Sequence, residues 1–323
     1  MYMNGDHASR TLIRTITNWG EGKWESFSGA FDGATSLTVP ATDEPNLSLT
    51  TTMTKAFKGC TSFVGTTLND WNTAAVTNMY EMFKGATAFN GNIGSWNTAA
   101  VTNMGSMFYG ATSFNQNINT SGSSWNTAAV TSMADLFREA SSFNGNISSW
   151  NTAAVTGMSH MFRSATAFNG NISSWNTAAV TGMSFMFELA TAFNQNITSW
   201  NTAAVNNMGH MFKSATSFNQ NINTSGSSWN TAAVTDMAEM FSGATAFNGN
   251  ISSWNTAAVN NMGHMFKSAT SFNQNINTSG SSWNTAAVTD MAEMFSGATA
   301  FNGNISSWNT AAVNNMGHMF KSA

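Results

Sequence analysis

The feature that most constrains this chain is a strict internal repeat. From Trp71 onward tryptophan recurs at 96, 125, 150, 175, 200, 229, 254, 283 and 308, so neighbouring copies lie 25 or 29 residues apart. One unit reads W-N-T-A-A-V-T-N-M-x-x-M-F-x-G-A-T-x-F-N-x-N-I-x-S. A period in this range marks a solenoid, in which each unit packs only on its neighbours and chain length no longer measures the number of domains. The longer copies carry their extra residues after the Ile, as Asn119-Thr120-Ser121-Gly122, a small polar run that predicts a surface bulge.

The repeat begins before its tryptophans. Phe27, Ala30, Phe31, Ala34 and Leu37 share a spacing with Met79, Met82, Phe83, Ala86 and Phe89, and so do Met53, Ala56, Phe57, Cys60 and Phe63. The central phenylalanine of each coil falls at 31, 57, 83, 108, 137, 162, 187, 212, 241, 266, 295 and 320, which gives about twelve coils. The expected organisation is an entry or cap segment over 1–23 and a solenoid of 25–29-residue coils over 24–323. Residues 200–253 and 254–307 are identical, and the array stops within a coil at Ala323. That stop implies either a longer natural chain or an end covered by another molecule, because solenoids need capping repeats.

Composition narrows the function classes. Only 8% of the residues are charged, against about 25% in ordinary soluble proteins, and Asn, Thr, Ser, Ala and Gly fill the polar places instead. A net charge of −4 leaves no electrostatic footprint for nucleic acid or an anionic membrane. With 12 Trp and 24 Phe the chain is too aromatic for disorder. No apolar run approaches the roughly 20 residues of a membrane span. Met1 to Thr15 lacks the apolar stretch of a signal peptide, so export would use a signal lying upstream or already removed. The lone cysteine, Cys60, occupies a place where other coils have Ala and reads as a small buried filler.

Within a coil, Met79, Met82, Phe83 and Ala86 follow i, i+3, i+4, i+7, which predicts a short helix with one apolar stripe ending near Gly85. The run Asn90–Asn97 predicts one short strand, and strands one coil apart would pair in parallel at about 4.8 Å. The expected fold class is therefore an α/β repeat solenoid with one short helix and one short parallel strand per coil. A single coil buries too little apolar surface to offset its own ordering, so stacking must complete the core. Trp96, Met104, Met107, Phe108, Phe114, Ile118 and Trp125 are expected to form its ladder of repeated side chains. The Asn after the second Phe, at Asn90, Asn115, Asn144, Asn169 and Asn194, fits a buried amide ladder, since each amide both donates and accepts, or else a solvated turn.

The motif V-T-N-M-x-x-M-F-x-G-A-T-x-F-N-x-N-I-x-S-W resembles the BspA-like surface-protein repeat, a divergent leucine-rich repeat. Val76-Thr77-Asn78-Met79, Met82-Phe83, Ala86 and Phe89-Asn90 carry the likeness, and Trp19-Gly20, Trp24, Phe31 and Ala41-Thr42-Asp43 look like its entry coils. The resemblance implies a right-handed leucine-rich-repeat-like solenoid on secreted or lipid-anchored surface proteins, often linked to adhesion, with no catalytic residues. Relatives of that kind often have Asp where this chain has Asn, a departure that argues against calcium along the array.

A search for chemistry finds little. His160, His210, His264 and His318 share one place in the repeat, two coils apart, too far to share a zinc whose ligands each lie about 2.0–2.3 Å away. Asp236 with Glu239, and Asp290 with Glu293, have the spacing of an acid/base pair, but Lys213 and Lys267 in adjacent coils make solvated ion pairs the simpler reading. The Met columns fit core filling better than soft-metal binding. No phosphate loop or Ser/His/Asp set is present. Sequons at Asn146, Asn171 and Asn196 are expected from composition alone. No catalytic, cofactor or metal site is expected.

Three functions fit such a chain. The first is an extracellular or cell-surface structural or adhesive rod that binds host or neighbouring-cell proteins or glycans. The second is a filament subunit that associates with itself end to end or laterally. The third is a binder of an ordered lattice, ice or crystalline polysaccharide, presenting a Thr/Ala face with Thr73, Thr98 and Thr127 as its column.

Overall fold

The computed structural model describes residues 11–119, 125–223, 228–277 and 282–323. Most of the inserted run beginning at Asn119 therefore lies outside the described residues. The chain forms two compact units, Met1–Val155 with Ser164–Gly170 and Thr156–Arg163 with Asn171–Ala323. Each unit is a pile of coils.

The Met/Phe stripe is not helical. Over 79–89 the backbone makes successive tight turns, with Met82 N–H donating to Met79 O, Lys84 to Glu81, Ala86 to Phe83 and Phe89 to Ala86, all at 3.0–3.2 Å. The alternate N–H groups leave the coil: Met79 donates to Asn103 O, Glu81 to Gly105, Phe83 to Met107 and Gly85 to Tyr109, at 2.7–3.0 Å. A helix would spend those donors on its own i−4 carbonyls. Here the third residue of each turn stands in the left-handed region, Glu81 at φ 55° and Gly85 at φ 70°, which redirects the chain and halts helical propagation. Turns starting every four residues bury 79, 82, 83 and 86, the same set that a 3.6-residue helix would bury. The expected helix is thus a four-residue turn period in disguise.

The expected strand is displaced and shortened. No bridge falls within 90–97 among the described residues; from Thr52 onward parallel pairing occurs one residue at a time just before the first Met of a coil, and Thr15–Thr38 and Lys23–Asn46 are two further bridges near the start. In the first unit Thr52, Asn78, Asn103 and Ser132 bridge in succession, and in the second Gly157, Gly182, Asn207, Asp236, Asn261, Asp290 and Asn315 do so. The run after Phe89 instead turns again, with Trp96 N–H donating to Ile93 O at 3.2 Å and Val101 to Thr98 at 2.9 Å. Asn, Gly and Ser there favour turns over a ladder.

The core is a set of side-chain files. Val76, Met79, Met82, Phe83, Ala86, Phe89, Ile93 and Trp96 are all fully buried. Phe57, Phe83, Phe108 and Phe137 lie ring over ring at 5.5–5.8 Å and within 8° of parallel. The second phenylalanine of each coil pairs closely with the first, as Phe108 with Phe114 at 4.0 Å. These are offset stacks, favourable beyond the area they bury. From Trp96 the repeat tryptophans anchor to the coil before: Trp96 Nε1 donates to Leu68 O at 2.7 Å, Trp125 to Ile93 O at 2.6 Å and Trp150 to Ile118 O at 2.7 Å, whereas Trp71 Nε1 has no such partner among the described residues.

Packing leaves some places open only to glycine. A Cβ on Gly145 would sit 2.1 Å from the Gln116 carbonyl oxygen of the preceding coil. Elsewhere the chain tolerates strain: among the described residues seventeen non-glycine residues have φ between 49° and 60°, in the turn segment.

Two substitutions should move stability in opposite directions, read as the midpoint of urea unfolding. Phe137→Ala breaks a buried file and should cost about 3–5 kcal/mol. Leu189→Gly relieves a left-handed residue (φ 59°) that is 41% exposed, at a place where Gly85 and Gly243 stand in other coils, and should gain about 1 kcal/mol.

Candidate functional site

The side chains outside the core divide into one charged row and several neutral files. From Lys55 onward every Asp, Glu, Lys and Arg except Asp70 falls in the turn segment equivalent to 78–85. There the charges pair across coils. Lys58 and Lys84 hold Glu81 at 2.9 and 2.8 Å, Arg163 holds Glu188 at 2.5 Å, Lys213 holds Glu239 at 2.5 Å and Lys267 holds Glu293 at 2.6 Å. Lys84 and Arg138 each lie 4.7 Å from the Tyr109 ring centroid, a cation–π arrangement. Burial pushes the Glu81 carboxyl up, but hydrogen bonds and charge from Lys84 and Lys58 outweigh it and hold the group at about 2.

The histidines join this row. The Phe185 ring stacks between His160 at 4.7 Å and His210 at 4.2 Å, and His264 Nε2 stands 3.6 Å from Glu293 Oε1. Burial lowers the His210 imidazole below its ordinary value. Asp236 Oδ1 accepts from Ala238 N–H at 2.9 Å, so Asp236 serves its own turn while Glu239 faces Lys213. Among the described residues no three His, Cys, Asp or Glu side chains converge as a metal site would require. Cys60 is buried, its Sγ 3.0 Å from Phe31 O, and burial pushes its thiol up to about 12.

The neutral files have different fates. Trp96, Met104, Met107, Phe108, Phe114 and Ile118 are fully buried, and Trp125 is 2% exposed. The Asn90 file lies at the surface, and its bonds run from backbone to side chain. Asn115, Asn144 and Asn169 N–H donate to Oδ1 of Asn90, Asn115 and Asn144 at 2.8–2.9 Å. In the second unit Asn219 N–H donates to Asn194 Oδ1 at 3.0 Å.

Thr73, Thr98 and Thr127 are buried, and each Oγ1 donates to an Asn backbone oxygen of the next coil at 2.9 Å. They cannot face a lattice. The exposed threonine file is Thr77, Thr102 and Thr131, each donating to the preceding coil. Sequence reading missed it because the turn closed by Val76 N–H on Thr73 O reverses the inside–outside order between those two threonines. A further surface file is the asparagine that follows each tryptophan: Asn97, Asn126 and Asn151 in one unit, and Asn201, Asn230 and Asn255 in the other. Repetition of W-N was the available signal.

Two chemical consequences follow from the charged row and the thiol. Because the Glu81 carboxyl titrates below its ordinary 4.5, its contribution is present above pH 4.5 and is lost as pH falls towards 2. Glu81→Gln should therefore lower stability at pH 7 by about 1 kcal/mol, and the gap to the parent should close by pH 2 in thermal unfolding. Cys60 should resist iodoacetamide at pH 8 in the folded protein and react within minutes in guanidinium, as mass spectrometry would record.

Comparison with curated protein sequences returns no match. Among solved structures, a leucine-rich cell surface protein from Faecalibacterium prausnitzii aligns over 92% of this chain and 87% of its own, with 15% identity and a TM-score of 0.44. The complex of TLR13 with ssRNA13 aligns over 91% of this chain but only 40% of its own, with 10% identity and a TM-score of 0.29. Among the described residues no helix is long and apolar enough to cross a membrane. One family matches residues 25–124, 118–225, 196–280 and 220–323 in overlapping segments. Since those matches together span nearly the whole chain, it belongs to the repeat family described as Mycoplasma protein of unknown function, DUF285.

Proposed function

We propose that this chain is an extracellular or cell-surface scaffold that holds proteins or glycans of neighbouring cells through many equal weak contacts. The observation that carries this reading is the separation of its side chains. From Lys55 onward, Asp70 apart, the charge of each unit is confined to the turn segment and largely paired there, while coil after coil presents the same amides and hydroxyls elsewhere. Repeated weak contacts multiply into avidity without any strong single site. The reading is non-enzymatic: the glutamates of the turn segment are paired with Lys or Arg, and His160 and His210 stack on Phe185. The likeness of the V-T-N-M-x-x-M-F motif to BspA-like surface repeats points the same way.

The identity of 200–253 with 254–307 favours a second reading, head-to-tail association into a fibre, since a coil that accepts one copy can accept another. Electron microscopy of concentrated protein separates the two: fibres support association, and short monodisperse particles exclude it.

The same identity supplies a clean test of multivalency. Deleting residues 200–253 leaves every remaining junction unchanged in sequence. On immobilised glycans and matrix proteins the shortened chain should bind several-fold more weakly than the parent, with a similar unfolding midpoint. The proposal fails if the parent binds nothing and cells lacking the chain attach as before.

A further inference from the structure

One concavity on the uncharged surface lies outside the core packing. In the second unit Asn201, Asn230 and Asn255, with Ser228, Trp229 and Ser253, line an open groove of about 490 Å³. The three asparagines come from successive coils, and each follows its coil's tryptophan.

Their backbones are fixed from behind. Asn201, Asn230 and Asn255 carbonyl oxygens accept from Oγ1 of the buried Thr177, Thr202 and Thr231 at 2.7–2.9 Å. Their side chains are pinned as well, because each Oδ1 accepts the N–H two residues on, from Ala203, Ala232 and Ala257, at 2.9–3.1 Å. That leaves each Nδ2, with its two donors, exposed and without a partner among the described residues. The Ser228 hydroxyl also lines the groove, exposed and without a partner among the described residues. Hydrogen-bonded neighbouring coils lie about 4.8 Å apart, so the groove offers oriented donors at an interval close to the length of one sugar ring.

What the groove lacks selects its ligand. It has no charged side chain, so it has nothing to neutralise the phosphates of a nucleic acid or the carboxylates of an acidic polymer. It also lacks the exposed aromatic or Arg anchor on which protein interfaces depend. Trp229 is 2% exposed, and its Nε1 is spent on Ile197 O at 2.7 Å. A neutral ligand dense in hydroxyls needs only fixed donors and acceptors in register.

We infer that this groove binds a neutral, unbranched polysaccharide laid along the asparagine file, with ligand hydroxyls accepting from Nδ2 of successive coils and exchanging a bond with Ser228. The inference deepens the adhesive reading and rests on it for its setting. Because 254–307 repeats 200–253, the file runs on through Asn284 and Asn309, so a longer polymer meets five such asparagines.

The test removes donors while keeping the turns. Asp in this kind of turn already caps the same N–H: Asp236 accepts from Ala238 at 2.9 Å and Asp290 from Ala292 at 2.8 Å. Asn201→Asp, Asn230→Asp and Asn255→Asp together therefore preserve the cap and lose the Nδ2 groups. Titration calorimetry of the full chain with cellohexaose, mannohexaose and chitohexaose should show saturable binding to at least one. The triple variant should bind that sugar about tenfold or more weakly while still folded at the titration temperature, its unfolding midpoint lowered by repulsion between the Asp of successive coils. If the triple variant does not fold, Asn230→Asp alone should still weaken binding several-fold. The inference is overturned if no neutral hexasaccharide saturates by about 10 mM, or if the folded variant binds as tightly as the parent. A parent that binds no neutral hexasaccharide yet adheres to matrix protein would sink the groove and spare the adhesive role. Sugar binding by a chain whose loss leaves cell attachment unchanged would do the reverse.

Discussion

Everything in this fold depends on alternate N–H groups of the turn segment reaching the next coil. Glu81, Phe83 and Gly85 donate forward to Gly105, Met107 and Tyr109, and His210, Phe212 and Ser214 repeat the arrangement onto Ala238, Met240 and Ser242. These bonds exist only because every fourth residue is left-handed, which keeps the chain from closing its bonds on itself. The cost of those conformations, about 1–2 kcal/mol for each non-glycine residue, is met by burial that no coil achieves alone. Local geometry is unfavourable and neighbour contact is favourable, so stability belongs to the pile rather than to the unit.

That balance explains what the sequence disclosed and what it hid. The repeat, its register and the identity of the buried residues were legible because burial repeats wherever the packing repeats. Met79, Met82, Phe83 and Ala86 were read as inward and are inward. The element that carries them was misread, because four-residue turns and a 3.6-residue helix bury the same four positions over two turns. The deciding signal lay between the apolar residues. At the place of Gly85 the coils carry Gly, Ser, Glu or Leu, and at the place of Glu81 they carry Gly, Lys, Glu, Ser, Asp, His or Phe, all with positive φ. Gly, Ser and Asp recurring every fourth residue signal turns, whereas His and Phe at the same places conceal them.

The surface was less legible than the core for a related reason. Inside and outside can be assigned by hydrophobicity, but Thr73 and Thr77 are the same residue on opposite sides of a turn. Only the buried one reaches forward to an Asn carbonyl, and nothing in W-N-T-A-A-V-T distinguishes them by composition. Likewise, Asn recurs at several places per coil in different roles. Asn90 uses its Oδ1 to hold the next coil, whereas Asn230 uses its Oδ1 within its own turn and keeps its amide nitrogen free. The difference between a stapling asparagine and a displaying one is set by which backbone N–H lies nearest.

The scarcity of charge is itself a product of the architecture. In an array of near-identical coils a charged residue at a fixed place meets its own copy in the next coil, and like charges about 5 Å apart repel by about 3 kcal/mol at an effective dielectric of 20. Neutral amides and hydroxyls escape that penalty and bond to their copies instead. Charge survives only where sign can alternate or a neutral residue can intervene. Lys58, Glu81 and Lys84 form one such group, and the two-coil repeat of 200–253 interleaves Lys213 with Ser242 and His210 with Glu239. A chain built by duplicating coils is thereby driven towards surfaces of Asn, Thr and Ser, and partners that recognise such surfaces must be neutral and hydroxyl- or amide-rich. On this argument the display of neutral groups is a consequence of stacking that a binding function can exploit.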